Sequence, residues 1–281
     1  MAEELQQKKA PILRKEEEVI KALDGFIKPE EDQVVLLLDF DGTLAPLTEE
    51  LSAMPKDTEL NIKKLVNNEK YFICIYSGRP LEEIKNHLKL PNVTYAGCHG
   101  LEVEYPNGKK FMIEMPEELL NKHKQLVEEL KEKVVLHGAW VEDKKISVTY
   151  RYKGVNDKLK AKLVEDAKAI IKTHGFQIIE TPYALEGKPR VNWDKVGIGT
   201  NMILEKHFGE DWKNTCKKII YIGDDTTDED AMKQLAGIAK TFRVSELPNL
   251  KTYGNYQLKT PDDVAYVLKW LQSNYEKKKK N

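Results

Sequence analysis

The chain has 281 residues, 41% apolar and 32% charged, enough for one large domain or two modest ones with a real core beneath a charged surface. Its formal net charge of −1 gives no global pull toward nucleic acid or membrane, so neither is expected as a partner and any affinity for an anion must be local. Three cysteines, Cys74, Cys98 and Cys216, form no CxxC pair, which sets aside a zinc site and a disulfide framework and fits a reduced, cytoplasmic compartment.

Met1 to Lys9 is polar and lacks the apolar stretch of a signal peptide. Runs such as Val34–Leu38 are far too short to span a bilayer. Residues 1–33 carry a weak helical spacing (Ile12, Leu13, Val19, Ile20, Leu23, Phe26) and read as a lead-in helix docked on the domain. Val34–Leu38 is a continuous branched run that stops at acidic residues and glycine, the pattern of a strand buried on both faces of a parallel sheet. Tyr71–Tyr76 and Ile219–Ile222 repeat it, and Val93–Ala96 is a shorter strand. Helical spacing lies between them at Thr58–Asn67, Pro80–His87, Val196–His207 and Asp228–Ala236. This alternation predicts an α/β fold, a Rossmann-like doubly wound parallel sheet over residues 34–100 and 188–275. Ligands of such sheets bind beyond the carboxyl ends of the strands.

Residues 101–187 change character. Leu101–Tyr105 pairs with Phe111–Ile113, and His137–Val141 with Ile146–Tyr150, each hairpin leading into a long charged helix near 117–132 or 157–173. Hairpin and helix twice over predict a small α+β cap domain inserted into the sheet domain. The lysines of 276–281 read as a solvated basic tail.

Three polar clusters fall at the ends of the buried strands. In Asp39–Phe40–Asp41–Gly42–Thr43, two carboxylates two residues apart sit where the backbone is about to turn. Mg²⁺ favours one or two carboxylates with phosphate oxygens, and a carboxylate can attack phosphorus once a metal offsets the charge. Asp39 emerges directly from the strand and is the candidate nucleophile; Asp41 is the candidate acid and base. Gly42 lets backbone N–H groups approach a phosphate, and Thr43 caps the turn or binds the same oxygens. The second cluster, Ser77–Gly78–Arg79–Pro80, offers a hydroxyl and a glycine at a helix start, either as a phosphate cradle or as a plain N-cap. The third, Gly223 to Asp230, holds five acids in eight residues, mutually repulsive unless a cation offsets them. Asp224 is its leading ligand, with Asp225 and Asp228 near it. Lys195, at the head of a helical pattern, is placed to balance the charge so that a phosphate is accepted.

Asp39–Phe40–Asp41–Gly42–Thr43–Leu44, Ser77–Gly78–Arg79, Lys195 and Gly223–Asp224–Asp225 resemble the four ordered motifs of haloacid-dehalogenase-like phosphatases. Asp39 to Pro46, Gly97–Gly100, Val191–Lys195 and Gly223 through Ala231 narrow the resemblance to the trehalose-6-phosphate phosphatase family, over about residues 30 to 270. The resemblance implies a Rossmann-like core with a cap, Mg²⁺, and hydrolysis of a small sugar phosphate, trehalose 6-phosphate, through an aspartyl-phosphate. It makes Asp39 nucleophile and metal ligand, Asp41 an acid/base binding metal through its carbonyl, Ser77 and Lys195 phosphate ligands with Gly78 beside them, and Asp224 a metal ligand with Asp225 next to it. Arg79 of the same motif is taken as a substrate contact. In the cap it implies sugar contacts at Glu142, Lys144, Glu186 and Lys188. The chain departs from the family's His–Tyr–Arg and Glu–x–Arg–Pro runs at Arg151–Tyr152–Lys153 and Glu186–Gly187–Lys188–Pro189, and carries Pro182 where a lysine is expected. Lysine keeps the charge of arginine and loses its bidentate fork. A phosphatase for another sugar phosphate, a phosphomutase-like relative, or a sensor that kept the fold and lost turnover stand as alternatives. His99 is expected to brace its turn, and Cys98 to be packed.

Overall fold

The structure, a computed structural model, describes residues 6–28, 33–48, 51–112, 116–144, 147–181, 183–189, 195–216 and 218–276. The chain opens with β1 (Lys8–Lys9) and α1 (Glu16–Leu23), then alternates β2 (Val34–Asp39), α2 (Lys56–Leu65), β3 (Tyr71–Tyr76), α3 (Leu81–Leu88), β4 (Val93–Gly97), β5 (Glu102–Glu104) and β6 (Lys110–Met112). The middle runs α4 (Glu117–Lys133), β7 (Trp140–Asp143), β8 (Val148–Arg151), α5 (Asp157–Thr173), β9 (Phe176–Thr181) and β10 (Ala184–Pro189). It closes with α6 (Lys195–Phe208), α7 (Trp212–Thr215), β11 (Ile219–Gly223), α8 (Thr226–Gln234), β12 (Ala239–Val244), β13 (Lys251–Thr252), β14 (Tyr256–Leu258) and α9 (Pro261–Glu276).

Two compact units result, one of Met1–Met112 with Asp194–Asn281 and the other of Ile113–Trp193. The first is built on an eight-stranded sheet in the order β14-β12-β11-β2-β3-β4-β5-β6. Strands β14 to β4 are parallel, and β5 and β6 are antiparallel. Alternate residues of β2 face opposite ways, and both faces are covered. Leu36 and Leu38 pack with Ile62 of α2, Ile84 of α3 and Val264 and Leu268 of α9. Val35 and Leu37 pack with Ile203 and Leu204 of α6 and Ala231 and Met232 of α8. An α/β, doubly wound sheet is therefore what the chain forms.

The hairpin expected to open the cap instead extends this sheet. β5 turns back beside β4, and Val103 and Tyr105 are buried in the core cluster of α6 and α8. Local alternation marks an antiparallel pair but does not say which sheet it joins. The lead-in is also more than a helix: β1 pairs with β13, the Leu13 amide donates to the Gln257 carbonyl at 2.8 Å, and Val19 and Leu23 of α1 join the core. Residues 277–281 lie outside the described residues.

The second unit is an antiparallel sheet in the order β7-β8-β10-β9. Val148, Tyr150 and Leu185 cover one face with Leu126 and Leu130 of α4 and Ala167 and Ile171 of α5. Residues Glu142, Thr149 and Glu186 stand in register with one another and so share the opposite face. β7 starts at Trp140 and not at His137, because His137 and Gly138 adopt left-handed backbone (φ 55° and 93°).

Candidate active site

β11, β2 and β3 are neighbours, with Ile222 beside Leu38 and Asp39 beside Tyr76. That register delivers Asp224, Asp39 and Ser77 to adjacent strand ends. Asp39, Asp224 and Asp228 each present a carboxylate oxygen, and the three oxygens lie within 4.8 Å of one another. Among the described residues, nothing hydrogen-bonds to the buried Oδ2 of Asp39. Burial, followed by the charges of Asp228, Asp224 and Asp41, pushes the Asp39 carboxyl well above its ordinary value. Burial and the charges of Asp228 and Asp225 raise Asp224 to about 7. Burial also raises Asp228 to about 6, against the hydroxyl of Tyr221 and the Asp225 amide, which favour its ionised form. Three crowded acids with an orphaned buried oxygen fit a hard divalent cation such as Mg²⁺.

Gly42 serves this cluster in a way the sequence did not suggest. Its N–H donates to the Ala45 carbonyl at 2.8 Å and is not turned to a phosphate. The residue must be glycine for two other reasons: its φ is +92°, and a Cβ would stand 2.2 Å from Asp224 Oδ2. Thr43 likewise holds Asp224, its hydroxyl donating to Oδ1 at 3.2 Å.

Asp225, expected as a ligand, is the N-cap of α8. It accepts from the Thr226 amide at 2.5 Å, and its own amide donates to Asp228 Oδ2 at 2.8 Å, a capping box. Asp228 takes the place expected for Asp225. The helix begins at Thr226, two residues earlier than the hydrophobic spacing alone predicts, and that phase turns Asp228 inward. Tyr221 Oη donates to Asp228 Oδ1 at 2.6 Å, and Arg243 donates to the Asp225 carbonyl, so the loop is gripped from below. The Asp-x-x-Asp spacing was the available signal for this box; nothing local marked Tyr221 or Arg243.

Ser77 is not an N-cap, since α3 starts at Leu81. Its Oγ donates to Asp41 Oδ2 at 3.0 Å and accepts from the Arg79 amide at 3.1 Å. Gly78 lies under the imidazole of His99, whose Cε1 would be 2.7 Å from an added Cβ. The His99 amide donates to the Ser77 carbonyl at 2.9 Å and the Cys98 amide to the Arg79 carbonyl at 2.7 Å, so this turn braces the Ser77–Arg79 loop. Arg79, expected at the substrate, is spent on protein groups: Nε lies 3.0 and 3.2 Å from the two oxygens of Asp41. Lys195 is the first residue of α6, and its side chain lies outside the described residues.

In the second unit, Lys188 is 2% exposed and its Nζ has no hydrogen-bond partner among the described residues, though Glu186 Oε2 is 3.5 Å away. Lys144 Nζ lies 4.0 Å from the other Glu186 oxygen. Glu142 is forked by Arg151, at 3.1 Å from Nε and 2.8 Å from Nη2, and that guanidinium lies 5.3 Å from the ring centre of Trp140. Lys144, Glu186 and Lys188 thus gather; Glu142 is paired apart from them by Arg151. Pro182 lies outside the described residues.

Residues 37–262 match the trehalose-phosphatase family model. Trehalose-phosphate phosphatase B of Arabidopsis thaliana is 30% identical over 270 residues, 91% of this chain and 69% of that protein. The C-terminal domain of Candida albicans trehalose-6-phosphate phosphatase shares the fold with a TM-score of 0.73 at 19% identity, over 94% of this chain and 98% of that one. BT1666 of Bacteroides thetaiotaomicron, a phosphatase of the haloalkanoate (HAD) superfamily, aligns with a TM-score of 0.56 at 16% identity, over 89% and 98% of the two chains. With four-fifths of its length matched and its acids gathered at the strand ends, the chain belongs to the trehalose-phosphatase family of phosphoric monoester hydrolases.

Proposed function

We propose that the chain hydrolyses trehalose 6-phosphate to trehalose and phosphate, with Mg²⁺ as cofactor and an aspartyl-phosphate on Asp39 as intermediate. One observation carries the reading: Asp39, Asp224 and Asp228 converge although their charges repel, and a buried Asp39 oxygen has no donor among the described residues. A shared divalent ion makes that tolerable. The sugar comes from the family and from the relatives' names.

Asp39, Asp224 and the Asp41 carbonyl would hold the ion, with Asp228 beside them; when bound it offsets phosphate charge and eases nucleophilic attack. The Asp39 carboxylate attacks phosphorus, the bond to the sugar oxygen breaks, and the electron pair leaves on that oxygen. Asp41 gives that oxygen a proton and becomes the carboxylate that takes one from water. Water oxygen then bonds to phosphorus, the pair returns to Asp39, and phosphate departs. Ser77 and Lys195 bind the phosphoryl oxygens, Lys195 by motif order, with Gly78 leaving room beside Ser77. Gly42 and Thr43 contribute by fixing Asp224, and Asp225 by capping α8.

For the sugar, we assign Glu142, Lys144, Glu186 and Lys188 as hydroxyl contacts. A buried ammonium whose donors find no hydrogen-bond partner among the described residues, as at Lys188, suits a sugar hydroxyl. Three buried cysteines in no disulfide suit a reducing cytoplasm, where burial pushes the Cys74 thiol upward and keeps it inert.

Phosphate release from a panel of phosphorylated mono- and disaccharides, with Mg²⁺ and with chelator, tests the reading. Trehalose 6-phosphate is expected to be cleaved fastest, only with metal, and Asp39→Asn to be folded and inactive. A different preferred sugar overturns the substrate; turnover by Asp39→Asn overturns the mechanism.

A further inference from the structure

Arg79 turns all three guanidinium nitrogens to protein. Nε faces both oxygens of Asp41 (3.0 and 3.2 Å), Nη1 lies 3.1 Å from Glu83 Oε1 one helical turn on, and Nη2 is 3.5 Å from the Thr48 carbonyl. The pair is largely withdrawn from water, with side chains 12% and 17% exposed. A fork held at three points has little rotamer freedom and fixes the carboxylate it grips.

Among the described residues, the other side-chain hydrogen bond to Asp41 comes from Ser77 Oγ, at 3.0 Å. A serine hydroxyl has one proton to donate. Once that proton turns to a phosphate, the hydrogen bond to Asp41 is lost. Among the described residues, Arg79 is then the side chain that still holds the carboxyl group.

We propose that Arg79 is a positioning residue for Asp41 and acts on the reaction only through it. The proposal rests on the acid/base reading of Asp41 given above. In the step concerned, an Asp39 oxygen bonds to phosphorus while the bond from phosphorus to the leaving oxygen breaks. That oxygen keeps the electron pair and takes the proton of Asp41. With Asp41 misplaced the oxygen must leave as an anion, which an acidic leaving group tolerates and a poor one does not.

Arg79→Gln, Asp41→Asn and the double variant are compared by kcat/KM on a series of aryl phosphates of falling phenol acidity, which share the phosphate and carry no sugar. In Arg79→Gln the dependence on phenol acidity is expected to steepen toward that of Asp41→Asn, from a loss within ~3-fold for the most acidic phenol to ~10²-fold for the least. The double variant is expected to match Asp41→Asn, and Arg79→Lys, which keeps the charge without the fork, to fall between parent and Arg79→Gln. An equal loss along the series, or a double variant worse than Asp41→Asn by the full Arg79→Gln factor, overturns the proposal and returns Arg79 to the substrate. A series left unchanged by Asp41→Asn overturns instead the acid/base reading beneath it.

Discussion

The hydroxyl of Tyr221 donates to Asp228 Oδ1 at 2.6 Å beneath the end of β11. Both residues are buried, and the second Asp228 oxygen accepts from the Asp225 amide, so this carboxylate is held from two sides. The donors favour the ionised form that a cation needs, in a place where burial opposes it.

Removing the Tyr221 hydroxyl therefore weakens the cation site. Tyr221→Phe is expected to cost about 1–2 kcal/mol of stability. With Asp228 pushed further up, Mg²⁺ affinity at pH 7 should fall roughly 3- to 10-fold. Thermal unfolding and calorimetric titration with Mg²⁺ check this; unchanged affinity would show that the hydrogen bond does not tune the site.

The crowded acids also set a pH dependence. Asp224 and Asp228 stand at about 7 and about 6 in the folded chain, above the ordinary value of 3.8. Between pH 4 and 7 these two groups therefore hold more protons in the metal-free folded state than in the unfolded state. Their contribution to stability falls as pH rises through that window. The stabilisation by Mg²⁺ should accordingly be larger at pH 7.5 than at pH 5. Asp39→Asn, which removes one repelling charge, should flatten the decline and raise the metal-free Tm at pH 7.5 by roughly 5 °C. Scanning calorimetry across pH, with and without Mg²⁺, reads both; a metal-free Tm rising from pH 5 to 7.5 contradicts the argument.

Asp225 and Asp228 should separate by substitution. Asp225→Ala removes an N-cap and is expected to cost about 1 kcal/mol, with Mg²⁺ affinity within ~3-fold of the parent. Asp228→Ala, taking a carboxylate from the cluster itself, should weaken Mg²⁺ by about 10-fold or more. The reverse order in a titration would restore Asp225 as the ligand.

Gly42→Ala places a Cβ on Asp224 and a side chain at positive φ. Asp224 must move, and a displacement of about 1 Å in a reacting site can cost ~10²-fold in rate. Phosphate release should drop by at least that factor while circular dichroism stays that of the parent. Near-parental activity would mean that Asp224 need not sit where it does.

Order along the chain was enough to place the chemistry at strand ends, because a buried strand and the polar residue that stops it are local patterns. Val34–Leu38 followed by Asp39, Tyr71–Tyr76 followed by Ser77, and Ile219–Ile222 ahead of Asp224 could be found residue by residue. The cap strands β9 and β10, the strand β12 and the closing helix α9 did not enter that reading. Their backbones gain partners from segments distant in the chain, as where β12 joins β11 and β14.

The local sequence carried the motif residues, their order and the parallel α/β plan, since those depend on neighbours in the chain. Folding sorted the acids of 224–230 into ligand-side and capping roles, gave Arg79 to Asp41, gave Gly42 and Thr43 to Asp224, and joined the 102–112 hairpin to the central sheet. Each of those outcomes turns on helix phase, strand register or the distance between remote segments, and charge and hydrogen-bonding act on such distances, which residue spacing along the chain does not contain.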